Sequence, residues 1–169
     1  MNEIIKGEDF KGKSLIIATP CYGGKADVPY ILSLNKLSVT LFKFGVSHDT
    51  FLISGESLVT RARNNCVARF MASDFTHMIF IDADGEFDHM DVLKFLYADE
   101  DVLTGAVPKK QLPISYNTSV LENDSGKIIT HKGRFLEVEY AGCAFMMIKT
   151  RVIEKMFKHY KHLKYTPYP

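Results

Sequence analysis

The stretch MIFIDADGEF, residues 78–87, carries an apolar run straight into two aspartates, Asp82 and Asp84, with Gly85 behind them. Along an extended strand, side chains at i and i+2 share a face, and at a strand-to-loop bend they can turn toward one point. Left bare, two such carboxylates repel, and one is pushed toward protonation. A divalent cation removes the conflict, because Mg²⁺ and Mn²⁺ prefer oxygen ligands and keep coordination places for substrate phosphates. The plain alternative is a turn in which Asp84 and Gly85 are only the turn signal. Position favours the metal-linked reading: the pair stands at the exit of the most apolar run, and open α/β sheets bind ligands at the carboxyl ends of their strands.

The elements that must hold this pair follow from periodicity. SLIIATP, residues 14–20, is a short β-branched run stopped by proline, which predicts a buried first strand. CYGGK follows as a turn. Val28, Ile31, Leu34, Leu37, Leu41 and Phe44 keep helical spacing and Gly45 supplies a stop, so a helix is expected over 28–44. VSHDTFLIS, residues 46–54, returns as a strand. A second helix over 58–72 places Leu58, Ala62, Cys66 and Phe70 on one face. HMIFI is the next strand, and Asp88 is placed to cap a short helix through Ala98. DVLTGAV, residues 101–107, is a further strand.

This strand–helix alternation predicts an α/β fold with a mostly parallel sheet and helices on both faces. After Pro108 the pattern changes: SYNTSVL, GKIITHK and FLEVEYA suggest antiparallel hairpin strands. GCAFMMIK (142–149) is a buried strand, and TRVIEKMFKHY a last helix capped by Thr150. No repeat or linker divides the chain, so one domain is expected over 1–169, with a nucleotide-type half at about 14–107 and a mixed-strand half at about 108–169.

Composition excludes several function classes. The 169 residues are 46% apolar and 24% charged, ordinary for one soluble domain. With 21 basic against 20 acidic residues, the formal charge of +1 gives no field of the kind that duplex binders use, so nucleic acid is not an expected partner. No stretch approaches the length of a membrane span. Only KMFKHYKHLKY, residues 155–165, is locally basic, with aromatics interleaved; it is either a solvated helix or a surface for an anionic partner. Cys21, Cys66 and Cys143 form no paired spacing, and MNEIIKGEDF has no signal core, which together point to a reducing, cytoplasmic setting. The histidines show no metal-ligand spacing.

Other residues fall on the same sheet edge. Arg61 and Arg63 open the second helix, two apart, so only one can face the site. Lys109 or Lys110 in VPKKQ leaves the fourth strand on the carboxyl edge, placed to offset diphosphate or acceptor charge, or simply solvated. Gly23 and Gly24 would let backbone approach a ligand, or form a plain turn.

MIFIDADGEF, together with ESLVTRARNNCVARFMASDFTH upstream and YAGCAFMMIKTRVIEKM downstream, resembles the GT-A glycosyltransferases. The likeness is to the small phage- and virus-type enzymes, and more distantly to the large family-2 transferases and fungal mannan mannosyltransferases. It spans nearly the whole chain, from IIATPCY to the last helix. It implies a GT-A-like three-layer α/β/α fold whose parallel half binds a nucleotide-diphospho-sugar donor, UDP- or GDP-linked. Asp82 and Asp84, around Ala83, would form the DxD motif on Mn²⁺ or Mg²⁺. The ARN element maps onto Ala62, Arg63 and Asn64 as a donor contact; Thr19, Pro20 and Tyr22 would meet the nucleoside; Gly142 and Cys143 would leave room for the donor sugar. Lys109 joins this set from the loop. The acceptor, a glycan, protein or small molecule, is not specified, and Glu122, Glu137 and Glu139 receive no role.

Two rivals remain. A haloacid-dehalogenase-type phosphatase also carries apolar-apolar-Asp-x-Asp-Gly, but it places that strand early and needs later acidic ligands. A non-catalytic nucleotide-sugar-binding module is the other, since domains of the resembled family run longer and the turn-like YTPYP suggests an acceptor half that is short or supplied elsewhere.

Overall fold

The computed structural model describes residues 5–164; the YTPYP segment lies outside the described residues. A five-stranded mixed sheet in the order β2-β1-β3-β9-β4 forms the centre. Its strands are β1 (Ser14–Cys21), β2 (Ser47–Ser54), β3 (His77–Ile81), β4 (Val102–Thr104) and β9 (Phe145–Lys149). β2, β1 and β3 pair in parallel, while β9 pairs antiparallel with both β3 and β4.

Alternation along the strands builds two cores. Leu15, Ile17, Ile79 and Ile81 turn to one face, where they meet α1 (Val28–Lys43) and α3 (His89–Ala98) through Leu37, Leu41, Val92 and Leu96. Ile16, Ala18, Met78 and Phe80 turn to the other face, against α2 (Val59–Met71) and α4 (Thr150–His159) through Cys66, Phe70 and Ile153. Helices thus cover both faces, because every residue of β3 is buried and neither face of that strand can meet water.

Local signals place the helix ends. Asp88 accepts from the Met90 amide at 2.9 Å, as its position before α3 predicts. Gly45, at φ 71°, supplies the left-handed residue that closes α1, and the Val46 amide donates back to the Leu41 carbonyl at 2.9 Å. Thr150 does not cap α4. It is the first helical residue, and its hydroxyl donates to the carbonyls of Phe75 (2.8 Å) and Thr76 (3.0 Å), tying the helix to the segment before β3.

The fourth strand is shorter than the expected 101–107. It is three residues long and joins the sheet through β9, which inserts between it and β3. Gly105 continues that pairing through its amide to the Phe145 carbonyl at 2.9 Å, and a Cβ there would stand 2.9 Å from the Phe145 ring. The remaining strands form two small antiparallel pairs, β5 (Thr118–Val120) with β8 (Val138–Ala141) and β6 (Thr130–His131) with β7 (Phe135–Leu136). Among the described residues, no helix is long and apolar enough to cross a membrane.

Candidate functional site at the carboxyl edge of the sheet

β3 delivers Asp82 at the edge where β1 and β2 also end. The turn after it is anchored from two sides: the Asp82 amide donates to the Ala144 carbonyl at 3.0 Å, and the Asp27 amide donates to the Ala83 carbonyl at 2.8 Å. The entrance to β9 and the start of α1 therefore clamp the DAD turn, and fixed backbone fixes where its carboxylates emerge.

Each aspartate has its own cation. Arg63, in the first turns of α2, donates from Nη2 to Asp82 Oδ1 at 2.6 Å. Its guanidinium also lies 5.5 Å from the centroid of the Phe80 ring, and its Nε is buried without a hydrogen-bond partner. Lys110 donates from Nζ to Asp84 Oδ2 at 2.7 Å. That hydrogen bond is the main reason the Lys110 ammonium is held above its usual pKa, with the negative fields of Asp84, Asp27 and Asp82 adding to it. The repulsion expected between the two carboxylates is thus answered by two side chains from separate elements. Exposure differs along the turn: 37% for the Asp82 side chain against 60% for Asp84, with Arg63 at 20% and Lys110 at 74%.

Arg61 and Arg63 diverge as their spacing demands. Arg61 pairs with Glu56, whose carboxyl is lowered by that hydrogen bond first and by the Leu58 amide second. Asn64 is exposed beside Arg63 on α2. The Lys109 side chain is exposed and its amide donates to the Ser115 carbonyl at 2.8 Å, so the neighbouring Lys110 is the lysine that reaches the turn. Thr19 is fully buried, and its hydroxyl is 2.6 Å from the Tyr30 hydroxyl inside the core, which removes it from any ligand surface. Pro20 is half-buried at the end of β1, and Tyr22 is 75% exposed on the following 3-10 turn.

A cavity of about 360 Å³ lies beside these residues, walled by Gly24 and Lys25 of the loop, Ile31 of α1, and Leu52 and Ser54 of β2. Thr19, Pro20 and Tyr22 do not line it. Gly142 and Cys143 precede β9 and are half-buried; Thr104 donates to the Gly142 carbonyl at 3.1 Å, which joins the ends of β4 and β9 next to Asp82.

Comparison with known proteins adds no relative. No protein-family model, curated protein or solved structure matches the chain.

Sequence reasoning passed over one residue of this edge and left a second undecided between two neighbours. Asp27 carried no motif, yet it precedes α1 and binds the DAD turn through its amide. Lys110 was indistinguishable from Lys109 in VPKKQ, and only the loop conformation separates them. As to metal, Asp82 and Asp84 offer the hard oxygens that Mg²⁺ and Mn²⁺ prefer. Among the described residues no group of three or more His, Cys, Asp or Glu side chains converges to hold an ion. The donor chemistry fits such a cation, and two carboxylates suffice only where substrate phosphates complete the shell.

Proposed function

We propose that the chain is a glycosyltransferase of GT-A type, moving a sugar from a nucleotide diphosphate donor to an acceptor. The observation that carries this reading is the DAD turn, clamped at the carboxyl end of β3 with one aspartate on Arg63 and the other on Lys110. The neighbouring cavity supports it, since Ile31 and Leu52 offer apolar walls for a nucleobase and the glycine-bearing loop offers backbone for a ribose. In this reading Asp82 and Asp84 would hold Mn²⁺ or Mg²⁺ together with the donor diphosphate. The cation supplies Lewis-acid stabilisation of the departing diphosphate.

The chain's own side chains do the rest. Arg63 holds Asp82 in one orientation, while Lys110 sits where a diphosphate oxygen would arrive and can exchange its carboxylate partner for a phosphate one. The phosphatase rival needs further acidic ligands, and no third one joins Asp82 and Asp84 among the described residues.

Calorimetric titration of UDP- and GDP-sugars, with and without Mn²⁺, tests the reading on the wild type and on Asp84→Ala. Metal-dependent binding that Asp84→Ala abolishes supports it. Metal-independent binding, or no nucleotide binding, refutes it, and phosphomonoester turnover by the same sample would favour the phosphatase.

A further inference from the structure

α4 and the 3-10 turn Lys161–Leu163 that follows Tyr160 carry two segregated surfaces. Ile153, Met156, Phe157 and Tyr160 recur at three- and four-residue steps and so lie along one stripe, which Leu163 extends. Ile153 is the one buried residue of this helix, seated among Cys66 and Phe70 of α2. Beyond it the stripe runs into solvent: Met156 is 48% exposed, Phe157 53%, Tyr160 47% and Leu163 65%. Four consecutive large apolar side chains in one exposed row are not scattered surface residues; they form a patch that calls for an occupant.

Charge identifies the occupant. From residue 150 to 164, Arg151, Lys155, Lys158, Lys161 and Lys164 face a single acid, Glu154. Arg151 is held by Asp101 at 2.5 Å, whereas the four lysines pair with no acidic side chain among the described residues. Lys155 and Lys158 fall on the side of the helix away from the Ile153 stripe. A single-stranded nucleic acid would need cations and aromatic rings on one surface. A second copy of this chain would cover the stripe but would leave Lys155 and Lys158, on the other side of the helix, without any counter-charge. A sheet of anionic headgroups above an acyl interior satisfies both surfaces at once.

We propose that α4 and its 3-10 extension form a docking surface for an anionic phospholipid bilayer, with Met156, Phe157, Tyr160 and Leu163 entering the headgroup region and the lysines meeting the surface charge. One short helix gives reversible attachment, dependent on lipid charge and weakened by salt.

The test is co-sedimentation of the full chain with vesicles of phosphatidylcholine alone and of phosphatidylcholine mixed with phosphatidylglycerol, at low and at high salt. All the altered positions are exposed, so the variants keep the fold, which circular dichroism verifies. Binding is expected only to the mixed vesicles. The triple change Lys155→Gln, Lys158→Gln, Lys161→Gln should weaken it about a hundredfold, at roughly fivefold per cation near an anionic surface. Met156→Ser with Phe157→Ser should weaken it at least about tenfold by removing buried apolar area. Equal binding to both vesicle types, or none, overturns the proposal. So does self-association on size exclusion that Met156→Ser with Phe157→Ser abolishes, or binding to a single-stranded oligonucleotide in place of vesicles.

Discussion

The ion pair between Arg63 and Asp82 decides whether the candidate site is preorganised, and a double-mutant cycle measures it. Charges about 4 Å apart at an effective dielectric of about 20 attract by about 4 kcal/mol before desolvation is subtracted. Here the side chains are 20% and 37% exposed and the N···O distance is 2.6 Å, so the pair stands between two known regimes. Exposed pairs contribute about 0–1 kcal/mol, and breaking a fully buried pair costs about 3–5 kcal/mol. A coupling of about 2 kcal/mol is the expectation for Arg63→Met combined with Asp82→Ala.

The two single changes should not be equal. Arg63→Met leaves a carboxylate that still reaches water, at a cost of about 1–2 kcal/mol. Asp82→Ala strands a guanidinium whose Nε already lacks a partner, and should cost about 2–3 kcal/mol. Asp82→Asn, which keeps an oxygen for Nη2, should fall below both, at about 1 kcal/mol. Urea unfolding at neutral pH reads all four corners of the cycle, with unchanged m values required for the comparison. A coupling within about 0.3 kcal/mol of zero, the scatter seen for independent sites, would refute the argument that Arg63 fixes Asp82.

Further outcomes follow from the same geometry. Lys110→Met should change stability by less than about 0.5 kcal/mol, because the Lys110–Asp84 pair is exposed on both sides. In calorimetry it should weaken nucleoside diphosphate binding about 5–10-fold while strengthening Mn²⁺ binding without nucleotide. His77 gives a pH signature. Burial, first of all, lowers its pKa from 6.5 to about 4, against the opposing pull of Asp99 and with help from Lys149 and Lys13. The folded imidazole stays neutral while the unfolded one takes a proton, so stability is full above pH 6.5 and falls as the pH drops toward about 4. The loss totals about 3 kcal/mol. Urea midpoints across that range should show the slope in the wild type, and His77→Gln should flatten it.

How much of this was legible in the sequence depends on the range of the interaction. Ala62, Cys66 and Phe70 announce the buried face of α2 because a helix encodes its face within four residues, and the same spacing separates Arg63 from Arg61. The Asp88 cap is equally local. By contrast, FMMI identifies a buried strand at β9 but holds no record of its neighbours, so its insertion between β3 and β4 was invisible. Lys110 meets Asp84 across 26 residues of sequence, through a loop whose path no period describes. Thr19 misled in another way: a threonine at a strand end looks available to a ligand, and only the Tyr30 hydroxyl, brought in by α1, shows that it is committed to the core. Thr150 has the right residue type for a cap and instead spends its hydroxyl on the chain before β3.

The two aspartates therefore differ in kind, although the sequence writes them alike. Asp82 leaves a fully buried strand, is tied by its amide to the entrance of β9, and is held by an arginine on a packed helix. Asp84 stands two residues farther out on the turn, 60% exposed, held by a lysine that is itself 74% exposed on a loop. A phosphate-bearing ligand arriving at this edge must displace one of the two cations from its carboxylate. Releasing Arg63 from Asp82 would break a largely sheltered pair packed beside Phe80, whereas releasing Lys110 from Asp84 breaks an exposed pair at little cost and leaves its ammonium free to meet the phosphate. The cheaper exchange is at Asp84, so under the proposed function Asp82 would serve as the fixed point of the site and Asp84 as the position that opens to the donor.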